Sequence, residues 1–245
     1  AAAREALPAA ARQWLATVGF DGAPDSHALL PDADGRLQAV WAGVRSADHP
    51  WALAALPKAL PPGRYRLAQP GTQAQGLAPD DNAAAFSWAL GGYRYGRFKA
   101  APAKPLAELM LAPGEAVRRG LLTAEVVAAT RDLVNTPAEQ LGPAELADAV
   151  ADVAKAHGAR LRQVVGDALL KGGFPAIHAV GRAASPERAP RLIEMRWRAP
   201  GAPKNAPKLT LVGKGVCFDS GGLDIKSPEG MRQMKKDMGG AANAL

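Results

Sequence analysis

One cysteine, four histidines and few aromatic side chains stand among 245 residues. The lone Cys217 excludes an intramolecular disulfide and any cysteine cluster around zinc, and suits a reducing compartment, so a cytoplasmic location is expected. His27, His49, His157 and His178 show no His-Glu-x-x-His spacing, which removes that helix-borne zinc motif. Phosphate-loop patterns are missing too: neither Gly-x-x-x-x-Gly-Lys-Ser/Thr nor a well-placed Gly-x-Gly-x-x-Gly is present. No apolar run approaches the roughly 20 residues of a membrane helix, and the alanine-rich start lacks the charged-then-apolar order of a signal peptide. Aromatics supply only 5% of residues against 48% hydrophobic overall, much of it alanine. That balance favours helices with small-residue contacts, hence an α/β fold over an aromatic-rich sandwich.

The net charge of +7 raises the question of an acidic partner. Residues 1–112 hold 11 Lys and Arg against 9 Asp and Glu, and residues 113–245 hold 19 against 14. The excess is spread without a dense basic run, unlike the clustered charge of nucleic-acid binders.

The punctuation of the chain suggests three parts: an N-terminal α/β domain over 1–112, a linker helix over 113–135, and a second α/β domain over 136–245, the one that carries the signature residues discussed below. In the first, helices are expected over Arg4–Thr17, Asp48–Leu60 and Asn82–Tyr93, with strands at Ala28–Leu30, Leu37–Val44 and Arg64–Gln69. A Pro-rich link, Ala101–Pro105, and a short apolar run, Leu106–Leu111, precede the linker helix. Val117, Leu121, Val127 and Val134 are spaced there to form one apolar face, and Asn135-Thr136-Pro137 ends it. Beyond it, a helix over Pro143–His157 and strands at Arg160–Val165, Ala176–Val180, Leu192–Trp197 and Lys208–Gly213 predict a mostly parallel or mixed sheet covered by helices. Ligands in such sheets sit beyond the strands' carboxyl ends.

The chemistry concentrates after Leu209-Thr210-Leu211-Val212, an apolar run of the kind expected for a strand buried on both faces. Gly213-Lys214-Gly215 follows, then Val216-Cys217-Phe218-Asp219-Ser220-Gly221-Gly222, Lys226, and Lys236-Asp237-Met238-Gly239-Gly240. Asp219 and Asp237 offer the carboxylate oxygens that hard divalent cations favour. Lysine is a less expected ligand, because its ammonium has no lone pair; burial and a nearby dication would both depress its pKa and expose one. A lysine that stays charged instead stabilises negative charge developing on a substrate oxygen. Cys217 reads as a small buried hydrophobe, with no histidine near it in sequence.

The string Val212-Gly213-Lys214-Gly215, Phe218-Asp219-Ser220-Gly221-Gly222, Ile225-Lys226 and Met234 through Asp237-Met238-Gly239-Gly240-Ala241-Ala242 resembles the signature of the leucine aminopeptidases. Arg131-Asp132-Leu133-Val134-Asn135-Thr136-Pro137 resembles that family's junction between linker helix and catalytic domain. The resemblance covers about the last half of the chain; the first hundred residues match only loosely.

That resemblance implies a dinuclear metallopeptidase releasing N-terminal residues, leucine-like ones preferred, from peptides with a free amino terminus. It places Lys214 and Asp237 on the more tightly held metal and Asp219 toward the second. It makes Lys226 the catalytic lysine that polarises the scissile carbonyl, and Met234 a wall of the pocket for the first side chain. The implied cofactors are two divalent ions, Zn, Mn or Mg, and a bicarbonate held by a downstream arginine; the implied assembly is a homohexamer. Leu223-Asp224 departs from the Ile-Ser of many relatives and adds a carboxylate near Lys226. The family's further carboxylates, in an Asn-Thr-Asp-Ala-Glu-Gly-Arg-like motif, are absent from these 245 residues, so the expectation is a truncated catalytic domain with half a dimetal site. A non-catalytic DNA-binding or assembly role for the same fold stays open as the alternative.

Overall fold

A computed structural model describes residues 7–68, 79–100 and 104–245. The chain divides into two compact units, 1–128 and 129–245.

In the first unit, α1 (Ala9–Thr17) buries Ala11 and Leu15, and Trp14 Nε1 donates to the carbonyl of Leu29 at 2.8 Å. The expected helix start at Arg4 lies outside the described residues. Leu29 sits on β1 (His27–Pro31), which pairs antiparallel with β2 (Leu37–Ala42), and the register shifts at Leu30/Pro31. The long helix expected over Asp48–Leu60 shrinks to α2 (Leu56–Ala59), preceded by successive turns. Ala52, Ala54 and Leu56 each bond three residues back, and Pro57 lacks the N–H that an α-helical ladder would use next.

Next, β3 (Arg64–Tyr65) lies parallel to β4 (Glu108–Leu109), with α3 (Asp81–Gly92) between them in sequence. Gln69, the expected end of the β3 strand, and part of the Ala101–Pro105 link lie outside the described residues. Asp80 caps α3 by accepting from the Ala83 N–H at 2.7 Å, which satisfies a helix-start donor. The core joins Ala52, Leu53, Leu56, Leu60, Ala84 and Ala107.

The long helix α4 (Glu115–Asn135) is present as expected, but it buries a different face. Gly120 and Ala124 are buried while Leu121 is exposed. A Cβ on Gly120 would come 2.4 Å from the Asn82 carbonyl oxygen, so backbone approach rather than large side chains sets this contact. The boundary between the two units falls within α4.

In the second unit, α5 (Pro143–Ala156) begins with proline in its first turn, and Glu145 reaches back so that its Oε2 accepts the Gly142 N–H at 2.9 Å. The loop before it is tied by Arg188, whose guanidinium donates to the carbonyls of Ala138 (2.8 Å) and Glu139 (2.7 Å). The sheet here is a single antiparallel pair, β5 (Arg160–Val165) with β6 (Arg191–Arg196), in place of the mostly parallel or mixed sheet expected. Between these strands lie α6 (Ala168–Lys171) and α7 (Pro175–Gly181). The segment Ala176–Val180, expected as a strand, is therefore helical. Pro175 presets the first turn, Gly173 at φ 82° ends the preceding helix, and Ile177 and Val180 stand three apart, a helical spacing that the β-branched residues of this short apolar run obscure.

The second correction is at Lys208–Gly213, which forms no strand. Leu209, Leu211 and Val212 are 86%, 64% and 92% exposed, not buried on both faces. A strand is defined by its ladder, and among the described residues none pairs with this run. The chain ends with α8 (Pro228–Arg232), a 3₁₀ turn at Met234–Lys236, and α9 (Gly239–Ala244). Leu141, Leu146, Cys217, Met238 and Ala242 form the core beneath these loops. The architecture is mixed α/β, with three two-stranded sheets among the described residues. None of its described helices is long and apolar enough to cross a membrane.

Candidate metal and catalytic site

Two loops of the second unit bring four of the signature side chains into two ion pairs. Lys226 Nζ lies 2.8 Å from Asp219 Oδ2, and Lys214 Nζ lies 3.5 Å from Asp237 Oδ2. Lys236 adds a second cation, 3.6 Å from Asp237 Oδ1.

The Asp219–Lys226 pair is made by a tight return of the chain. Gly221 N–H donates to Asp219 Oδ1 at 2.6 Å, and Lys226 N–H donates to the Ser220 carbonyl at 2.8 Å. Gly221 sits at φ 92°, and a Cβ there would come 2.2 Å from the Asp224 carbonyl oxygen, so only glycine closes this loop. Both Asp219 oxygens are thereby engaged. The hydrogen bond from Lys226 and then that from the Gly221 N–H hold its carboxyl below the usual range, with Coulombic help from Lys226 and Lys214.

The Lys214–Asp237 pair depends on bare backbone. The Ala241 N–H donates to the Lys214 carbonyl at 2.8 Å. A Cβ on Gly213 would fall 2.3 Å from the Gly240 carbonyl oxygen, and one on Gly240 would fall 2.9 Å from the Lys214 nitrogen. The loop carrying Lys214 thus rests directly on the start of α9, close to Asp237. The other side of the Asp237 turn is tied by Lys235, whose Nζ donates to Asn135 Oδ1 at 3.4 Å. Neither tie was anticipated from sequence. Glycines in both contacting segments and the quoted Asn135 were the signals.

Met234 and Cys217 point into the protein, at 4% and 6% exposure. Burial, then the Glu145 charge, pushes the Cys217 thiol up to about 11, which makes it a poor nucleophile at neutral pH. Asp224 is exposed and forms no ion pair among the described residues.

The donor set fits a divalent ion at one pair. Two donors each about 2.1 Å from a tetrahedral ion lie about 3.4 Å apart. The 3.5 Å between Lys214 Nζ and Asp237 Oδ2 is close to that span. Among the described residues no three His, Cys, Asp or Glu side chains gather as a metal cluster.

Residues 128–245 match the catalytic domain of the cytosol aminopeptidase family, and residues 3–112 match the M17 aminopeptidase N-terminal domain. A probable cytosol aminopeptidase of Rhodococcus opacus (strain B4) is 41% identical over 187 residues, covering 70% of this chain and 36% of that protein. The crystal structure of cytosol aminopeptidase from Coxiella burnetii superposes with a TM-score of 0.83 at 41% identity, over 98% of this chain and 50% of that one. The bottromycin maturation enzyme BotP in complex with Mn follows with a TM-score of 0.74 at 33% identity, over 97% and 51%. The chain spans between about a third and a half of the length of these relatives. With both domains of one family matched in order along it, the chain belongs to the cytosol aminopeptidase family.

Proposed function

We propose that this chain is part of a metal-dependent aminopeptidase that removes N-terminal residues, apolar ones such as leucine preferred, from peptides with a free amino terminus. The observation that carries the reading is the convergence of two lysines and two aspartates into two adjacent ion pairs. A solvated surface has no reason to build that arrangement from glycine-enforced loops.

In this reading Lys214 and Asp237 hold one divalent ion and Asp219 contributes toward a second, Zn, Mn or Mg. Such ions, when bound, supply Lewis acidity and a nucleophilic water at neutral pH. Asp219 remains ionised far below neutrality because Lys226 and the Gly221 N–H stabilise its charge, so it is ready to accept a cation. Asp237, only 27% exposed, is partly screened from water, which strengthens its attraction for positive charge. Lys226 carries three donors and spends one on Asp219. The others are free to meet the scissile carbonyl oxygen as negative charge builds on it, the moment at which such a donor contributes most. The domain scheme of 1–112, 113–135 and 136–245, a pocket wall at Met234, a homohexameric assembly and a cytoplasmic location belong to the same proposal. The alternative of nucleic-acid binding is favoured by no observation here.

Hydrolysis of leucine p-nitroanilide by the longer protein containing this chain tests the reading. Activity is expected to disappear on chelation and return with Mn²⁺ or Zn²⁺. Activity indifferent to metal removal would sink it.

A further inference from the structure

A cavity of about 340 Å³ is lined wholly by residues of the first unit, Asp25, Val44, Arg45, His49, Trp51 and Ala52. Its size lies at the lower end for small-molecule sites, which suits a ligand smaller than a drug. Its lining joins one anion, one cation, an imidazole and an indole over an apolar floor.

The two charges are kept apart. Asp25 and Arg45 face the same cavity, yet neither side chain has a hydrogen-bond or ion-pair partner among the described residues. Asp25 is also the only described non-glycine residue at positive φ, 66°. A conformation of that kind persists only where the surroundings enforce it. Here the Asp25 N–H donates to the Gly43 carbonyl at 3.1 Å, and the Gly43 N–H returns to the Ser26 carbonyl at 2.9 Å. Gly43 is itself pinned, since a Cβ there would lie 2.0 Å from the Ala23 carbonyl oxygen. The backbone that carries the carboxylate is therefore fixed at the cavity wall.

The other wall is equally fixed. The Trp51 backbone N–H donates to His49 Nδ1 at 3.2 Å, which leaves Nε2 as the ring's remaining donor. The Trp51 ring, 38% exposed, packs against Phe86 at 5.8 Å between centroids. An anion on fixed backbone, an unpaired guanidinium with a neighbouring N–H donor, and a 38% exposed indole face match the three parts of one small molecule.

We propose that this cavity binds a free α-amino acid with an apolar side chain: Asp25 takes its ammonium, Arg45 and His49 its carboxylate, and Trp51 and Val44 its side chain. Arginine suits a carboxylate because its fork donates two parallel bonds, and the indole contributes apolar area with little loss of freedom. The site goes beyond the peptidase reading, and its binding is measurable without metal.

The test titrates ¹⁵N-labelled protein in chelator with L-leucine, leucinamide, N-acetyl-leucine and inorganic phosphate, followed by backbone amides near Asp25, Arg45 and His49 and by the Trp51 indole N–H. Saturable shifts are expected for leucine with Kd on the order of 1 mM, and binding at least about 10-fold weaker for the amide and the N-acetyl form. Asp25→Asn, which tolerates the same backbone conformation, and Arg45→Gln should each weaken leucine by about 10-fold. Asp237→Asn should leave the shifts intact. Absence of saturation up to the solubility limit, equal binding of the amide or N-acetyl form, phosphate binding as tightly as leucine, or indifference to both cavity variants would each overturn the proposal.

Discussion

The Ala241 N–H donates to the Lys214 carbonyl at 2.8 Å, and this one backbone bond links the two loops that carry the Lys214–Asp237 pair. It forms because Gly213 and Gly240 let the loops touch without side chains between them. Gly213→Ala should therefore separate them, lowering stability by about 1–3 kcal/mol, as overpacking does, and weakening metal binding in parallel. Gly215→Ala is the control: its Cβ would meet only the Ala241 Cβ and Leu146 Cδ2, at 3.4 Å each, ordinary contact. Thermal denaturation and Mn²⁺ titration of both variants check the contrast, and equal losses in the two would refute the argument.

Lys226 and Asp219 are 33% and 47% exposed, so their ion pair is solvent-screened and adds little to stability. Its weight should fall on turnover instead. In the longer protein, Lys226→Ala is expected to lower kcat by about 10²–10³-fold, the usual loss for one donor to a developing oxyanion. Steady-state kinetics beside a melting curve separate the two effects.

Acid stability should depend on Glu145. Backbone hydrogen bonding at its own position lowers its pKa below the ordinary value near 4.5, with further lowering from the Gly142 N–H and the charges of Arg188 and Arg191. A lowered folded-state pKa stabilises the native protein above pH 4.5 and loses that stabilisation as pH falls through the folded value. Glu145→Gln, which keeps an acceptor for Gly142, should flatten the stability profile between about pH 5 and 3. Glu145→Ala should cost about 1 kcal/mol at neutral pH as a lost helix-start bond. Denaturant midpoints measured across pH distinguish the two.

Lysine binds a cation only as the free amine, so metal binding at Lys214 must release a proton. Calorimetry in buffers of different ionisation enthalpy is expected to give about one proton released per ion bound at pH 7. Lys214→Met should remove that release. No buffer dependence in the parent protein would exclude Lys214 as a ligand.

Much of the candidate site was legible because its spacing is local. Lys214, Asp219, Lys226 and Asp237 fall within 24 consecutive residues, and glycine at 213, 221 and 240 announces close backbone approach. Helices with a clear start, such as α5 at Gly142-Pro143, were equally readable. What failed was inference that needs a partner. The short β-branched run Ala176–Val180 suggested a strand, but Gly173 ends one helix and Pro175 starts the next. The apolar run Leu209–Val212 carries strand propensity, and propensity cannot supply the neighbour that makes a ladder. The buried face of α4 was misread because Gly120 and Ala124 carry little hydrophobic signal, and they were chosen for proximity.

The exposed run at Leu209–Val212 bears on how these 245 residues behave when handled on their own. An apolar, β-prone stretch in solvent invites association with other chains, and charged residues on either side discourage it. Lys208 and Lys214 stand on those two sides. Within these 245 residues Lys214 is thus placed to limit such association as well as to pair with Asp237. Substitutions that remove its charge are expected to raise light scattering by this stretch at equal concentration, with or without metal.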